Sequence, residues 1–268
     1  MNIVVCIKQV PDTAEVKINP ETGTLIREGV PSIINPFDEY AIEEALCLRE
    51  KFRGKVTIIT MGPPQAISAL RQAVAMGADE AVLLSDRAFA GSDTWSTSYT
   101  LAAAIRKVGA VDIILCGKQA IDGDTGQVGP GIAVQLGITI LTYVSRIHRV
   151  EPEPAPGVIE VERSLDEGRE IVETRLPALL TVVKDINIPR LAAIADVRRA
   201  VRMPIPTWTA ADLPGVDPRM LGLEGSPTRV VKIASPPGRA TAAEMIPVDS
   251  ADQAASELAE KLVAAKVL

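Results

Sequence analysis

The 268 residues are 47% hydrophobic but only 3% aromatic, and 28 Lys and Arg face 34 Asp and Glu for a formal charge of −6. This content suffices for a sizeable core filled by Ala, Val, Ile and Leu, as in Ala-rich helices on β-branched strands. The acidic balance excludes a nucleic-acid surface, which needs clustered Lys and Arg; Arg198, Arg199 and Arg202 are the one basic cluster. Three scattered cysteines, Cys6, Cys47 and Cys116, and one histidine, His148, offer neither zinc nor iron–sulfur spacing nor a nucleophile–base pair, so no metal and no catalytic residue is expected. His148 lies in the alternating run 147–150, which places it on a strand face.

The chain opens almost directly into Ile3-Val4-Val5, with no basic region and cleavage site ahead of it. Its longest apolar stretch, 132–144, is broken by Gln135 and Gly137 and falls short of the ~20 residues of a membrane span. A cytoplasmic protein without a membrane span is the expectation.

In chain order, four short apolar runs at 3–7, 56–61, 81–84 and 113–116 read as strands of a parallel sheet covered on both faces. Between them, 38–52, 65–76 and 94–108 read as helices, each followed closely by Gly54, Gly77 or Gly109. The pattern then alternates at 142–150, 158–163 and 169–175, with Pro152, Pro154, Pro156 and Gly157 between, which reads as an antiparallel hairpin excursion. Residues 179–183 resemble one more core strand. From 186 to 245 prolines accumulate and predict an extended arm, whose Trp208, Leu213 and Leu221 call for cover by a partner. Ser250 and Gln253 have capping-box spacing ahead of a last helix over 254–265. The fold expected is α/β, a wound parallel sheet with a hairpin excursion and an extended C-terminal arm. Its division is a nucleotide-binding domain over 1–185 and a recognition loop and arm over 186–268.

The strand at 113–116 runs into Gly117-Lys118-Gln119-Ala120-Ile121-Asp122-Gly123-Asp124-Thr125-Gly126-Gln127-Val128-Gly129-Pro130 and then a helical stretch through Gln135. Wound α/β sheets bind ligands at such carboxyl ends, where the next helix aims free amides outward. Glycines let the backbone approach a phosphate, with Thr125 and Gln127 as side-chain donors. The spacing is neither a Walker loop nor GxGxxG. Cys6-Ile7-Lys8-Gln9 and Asn35-Pro36-Phe37-Asp38 end at the same sheet edge and would line an adenosine pocket. Asn35 offers both donor and acceptor; Asp38 either touches ligand or caps the helix beginning there.

The segments 5–12 and 35–38, Glu43-Glu44-Ala45, Met61-Gly62-Pro63, Ala75-Met76-Gly77-Ala78-Asp79 and Gly117 to Asp122 together resemble the electron-transfer flavoprotein β family over roughly residues 1–200. The resemblance implies a sheet of the adenine-nucleotide α-hydrolase-like type and a larger α subunit that carries an FAD. It places nucleotide contacts on Cys6, Asn35, Pro36, Phe37, Asp38, Met61 and the residues from Gly117 to Val128, with phosphate on the amides of Gly126, Gln127 and Val128. The run from Asp122 to Pro130 is similar to that of flavin-bifurcating members, in which a second FAD takes hydride from NADH. The alternative is the simpler form with structural AMP. Residues 189–200 match the family's recognition loop for an acyl-CoA-type or other flavin dehydrogenase, with Ile194 as its apolar anchor or packed in a short helix. A nucleotide-binding sensor is the reading from another class, and the long arm argues against it. An ATP-dependent ligase or hydrolase predicts a Ser-Gly-Gly loop after the first strand, where Lys8-Gln9-Val10-Pro11 stands instead.

Overall fold

A computed structural model of the chain describes residues 1–12, 31–231, 243, 245–246 and 250–267. The first apolar run is β1 (Asn2–Cys6), with β4 (Lys55–Met61) on one side and β6 (Ile113–Gly117) on the other. Beyond β4 lies β5 (Glu80–Leu84), and beyond β6 lie β10 (Ala178–Val182) and β7 (Thr139–Glu151), all in parallel contact. β7 then turns antiparallel through β8 (Val158–Leu165) and β9 (Gly168–Arg175), which is the expected hairpin excursion. Separately, β2 (Gln9–Pro11) and β3 (Ser32–Ile34) form a two-stranded antiparallel ribbon that the apolar pattern did not announce.

Both faces of the parallel part of the sheet are covered, which explains why those strands read as continuous apolar runs. Ile3 and Val5 point to a core closed by α1 (Pro36–Phe52) and α2 (Ile67–Met76) through Ile42, Leu46 and Leu70. Val4 and Cys6 point to the other, closed by α3 (Thr94–Val108) and α4 (Val128–Leu136) through Leu101, Ile105 and Ile132. Each such fully buried Leu or Ile contributes roughly 2 kcal/mol of hydrophobic transfer before the entropy of ordering it is subtracted.

The helix ends follow the glycines at Gly77 and Gly109, but α1 departs from expectation. There Arg53 takes the positive φ, 51°. Gly54 is required for a different reason: a Cβ on it would stand 2.0 Å from the Met1 carbonyl oxygen.

The arm is the largest correction. Part of it folds onto the sheet: α5 (Ile194–Arg202) packs on α2, and β11 (Thr207–Trp208) adds a parallel edge strand beside β5. Leu213 and Leu221 are buried in the second core, and Lys107 Nζ stands 4.2 Å over the Trp208 ring. These residues need no partner to cover them. Arg199 of the basic cluster donates to the Val74 and Ala78 carbonyls at 2.8 and 3.1 Å, closing the C-terminal end of α2. Arg71 returns the favour at the end of α5, donating to the Ala200 and Val201 carbonyls. The last helix, α6 (Ala251–Ala264), starts at Ser250, whose Oγ accepts from the Gln253 amide at 3.3 Å; it buries no residue. Prolines 236, 237 and 247 lie outside the described residues. No described helix is long and apolar enough to cross a membrane.

Candidate nucleotide site

From β1 the chain winds outward through β4 and β5, then returns across the sheet to β6 and proceeds the other way. The direction reverses at β1 and β6, and a crevice at the carboxyl ends of such strands is where open α/β sheets take ligands. Gly117 ends β6, Cys6 ends β1 and Met61 ends β4, so these three sit at that edge.

Asn35 and Asp38 at the start of α1 hold the edge together. Asn35 precedes the helix, where a side-chain cap is usual, but makes none. Its amide instead donates to the Gln119 carbonyl at 2.9 Å, and its oxygen accepts from the Ile121 amide at 3.1 Å. Asp38 is not a cap either. Its two carboxylate oxygens accept from the Lys8 amide at 2.8 Å and the Gly117 amide at 3.0 Å, joining the ends of β1 and β6 through α1. Burial pushes the Asp38 carboxyl up to about 7, against the pull of the Lys8 amide, the Asn35 side chain, the Gly117 amide and the Lys8 charge. Gly117 is obligatory here, because a Cβ would stand 2.4 Å from Asp38 Oδ1 and 2.6 Å from Phe37 Cβ. Cys6 and Cys116 face each other in register. Hydrogen bonding with Cys6, then burial, then the charges of Cys6 and Asp38 raise the Cys116 thiol well above its ordinary value.

The loop from Lys118 to Gln127 is pinned on both flanks. Lys8 Nζ pairs with Asp122 at 2.6 Å, and Gln119 Nε2 donates to Asp124 Oδ1 at 2.7 Å. Asp124 and Gly126 both have left-handed backbones, at φ 51° and 61°. A Cβ on Gly126 would meet only the Lys118 carbonyl, at 3.6 Å, and one on Gly123 would meet nothing. The amides of Gly126, Gln127 and Val128 donate to no acceptor among the described residues, and they stand at the positive end of α4. Gln127 Oε1 accepts from Thr94 Oγ1 at 2.9 Å, so the start of α3 steadies the start of α4. An apposition of free amides and open space beside glycine suits an anionic ligand. Thr94 escaped sequence reasoning, since it is 33 residues from Gln127 and only the fold joins them.

Residues 189–200 pack along α1 and α2 and not on the loop from Lys118 to Gln127. Arg190 is gripped by Glu43 and Glu50 of α1, and beyond it Leu191 and Ile194 stand 95% and 78% exposed. Ile194 begins α5 and is not buried by the packing of that helix on α2. His148 sits on a strand as expected, partnered by Glu162 at 3.3 Å.

The electron transfer flavoprotein domain family matches residues 22–213. The chain is 50% identical over 263 residues to the caffeyl-CoA reductase–Etf complex subunit CarD of Acetobacterium woodii, covering 98% of each chain. It is 49% identical over 276 residues to the electron transfer flavoprotein subunit beta of Megasphaera elsdenii, covering both fully. It is also 49% identical over 266 residues to the protein FixA of Bradyrhizobium diazoefficiens, covering 98% of this chain and 91% of that one. With a wound sheet, a glycine-containing loop at its switch point and these relatives along nearly its whole length, the chain belongs to the electron transfer flavoprotein family, among its β subunits and FixA proteins.

Proposed function

We propose that the chain works in the cytoplasm as the β subunit of a two-subunit electron-transfer flavoprotein whose β site holds a second FAD, so that the heterodimer bifurcates electrons from NADH. The observation that carries this reading is the left-handed Gly126 beside the free amides at the start of α4, with open space at Gly123. A pyrophosphate needs more backbone approach than one phosphate, and the open space at Gly123 and Gly126 supports that reading. The residues fit the group: Gly126, Gln127 and Val128 would take phosphate, while Cys6, Asn35, Pro36, Phe37, Asp38, Met61 and the residues from Gly117 to Thr125 would surround the rest.

When bound, FAD supplies the hydride and single-electron chemistry, which is why no acid–base residue is assigned to the chain. Asn35 and Asp38 keep the loop in place, Thr94 orients Gln127, and the buried edge around Cys6 and Cys116 excludes water.

The division of labour is residues 1–185 for the nucleotide and 186–268 for partners. Ile194 docks an acyl-CoA-type or other flavin dehydrogenase, a class supported by the relative named for a caffeyl-CoA reductase complex. The unburied α6, with Leu258 and Val263 about half exposed, joins the α subunit. Cofactors released from the denatured heterodimer test the central claim. Two FAD per heterodimer supports it; one FAD with one AMP leaves a simple carrier and overturns bifurcation.

A further inference from the structure

β7 carries a bulge where it passes the cradle. Leu141 pairs with Leu180 and Val144 with Val182, so Thr142 and Tyr143 together oppose Thr181. Leu141 and Val144 are both buried in the same core, which restores the alternation on either side, and the extra residue turns Tyr143 outward to 40% exposure. Tyr143 has φ 58°, a left-handed backbone that a bulky side chain adopts only when its surroundings impose it. Here they do. Arg163 from β8 donates to the Thr142 carbonyl at 2.8 Å and to its hydroxyl at 2.9 Å, and the Tyr143 amide points at Thr181 Oγ1 at 3.4 Å. Bulges beside ligand sites re-aim a side chain, and the aim of this one is plain: Lys118 Nζ lies 5.2 Å from the centre of the Tyr143 ring and 6.0 Å from that of Phe37.

Lys118 makes no ion pair among the described residues; two ring faces hold its ammonium. Its backbone is fixed at the mouth of the cradle, with its amide on the Val182 carbonyl at 2.9 Å and its own carbonyl 3.6 Å from where a Cβ of Gly126 would be. A cation without a carboxylate, on a residue whose carbonyl borders Gly126, is one charge short of neutral, and an anionic ligand supplies it. We propose that Tyr143 is a positioning residue of this site: its ring holds the Lys118 ammonium at the cradle mouth, where it meets the phosphate of a bound adenine nucleotide. This rests on the cradle binding a nucleotide, whether AMP or FAD.

The test uses the assembled heterodimer stripped of its β nucleotide and titrated calorimetrically with AMP, FAD and adenosine. Tyr143→Asn removes the ring with a residue that tolerates a left-handed backbone. It weakens AMP and FAD by about tenfold, leaves adenosine unchanged, and keeps or raises the melting temperature. Lys118→Gln gives the same pattern, the double variant loses no more than either alone, and Tyr143→Phe restores tight binding. Equal AMP affinity in parent and Tyr143→Asn, additive losses in the double variant, or an equal loss for adenosine would each overturn the proposal. Tyr143→Gly is a second ringless variant; if neither assembles, the ring is structural and the proposal falls. A parent that binds neither AMP nor FAD defeats the nucleotide reading itself, and this inference with it.

Discussion

Arg190 and Glu43 are joined at two points, Nε to Oε2 at 2.8 Å and Nη2 to Oε1 at 3.0 Å, and the Arg190 amide adds a third bond to Oε2 at 3.0 Å. The contact ties the segment that leads into α5 to the middle of α1. Parallel bonds from a guanidinium to a carboxylate fix orientation as well as distance, so this clasp sets where the chain leaves the sheet toward Ile194.

Removing the guanidinium leaves a carboxylate with only 8% of its side chain exposed and no cation. Arg190→Met is expected to cost about 2 kcal/mol, below the full penalty for a buried pair because Arg190 itself is partly in water. Burial alone would raise the Glu43 carboxyl, but the side-chain and backbone bonds of Arg190 outweigh it and hold the group below its ordinary 4.5. A depressed carboxyl stabilises the fold above its unfolded value and loses that contribution as pH falls through the folded one. The penalty of Arg190→Met therefore shrinks below pH 4.5, which denaturant titration of both proteins at several pH values will measure.

Asp38 has the opposite sign. Its carboxyl is raised from 3.8 to about 7, so its contribution is greatest at low pH and is lost as pH rises through 7. Asp38→Asn removes this pH dependence. It also sets an NH2 group against the Lys8 or the Gly117 amide, which leaves a buried donor unmatched at a cost of ~1–3 kcal/mol. Unfolding free energies at pH 5 and pH 8 should differ less in the variant than in the parent. An unchanged difference would remove Asp38 as the source.

Gly126→Val acts through backbone strain, since Cβ crowding there is slight. Forcing φ 61° on a β-branched residue costs ~1–2 kcal/mol or moves the loop, so the β nucleotide is lost while the α-subunit flavin stays. Gly117→Ala, by contrast, collides with Asp38 and Phe37 and should lower the melting temperature as well as nucleotide content. Flavin and AMP counts beside melting curves separate the two effects.

Ile194→Ala should leave stability within about 0.5 kcal/mol, because the side chain is 78% exposed. Under the proposed docking role, the variant is expected to weaken docking of the partner dehydrogenase by ~1–3 kcal/mol with nucleotide content unchanged. Stopped-flow transfer rates equal to those of the parent would deny the anchor.

The strands at 3–7, 56–61, 81–84 and 113–116 and the helix over 94–108 were legible because burial on both faces and glycine termination are written into neighbouring residues. The glycine loop was legible for the same reason: its composition and its place after a strand are local. Contacts across the chain were not. Asn35 and Asp38 were visible as polar groups at the right edge, but their partners lie 30 to 86 residues away, and nothing local says that they brace the loop. Trp208, Leu213 and Leu221 read as surface awaiting a partner, since neither the two-residue strand that places Trp208 beside β5 nor the turns that bury Leu213 and Leu221 have a period of their own. Tyr143 sat unremarked in an alternating run, because a bulge is set by how β7 must register against both β10 and β8. By itself the sequence determined the order of the core strands and helices, the switch-point loop and the family. Only the tertiary structure decided which side chains hold that loop and which stand free for a ligand or partner, because hydrogen bonds and packing between distant segments leave no periodic trace in the sequence.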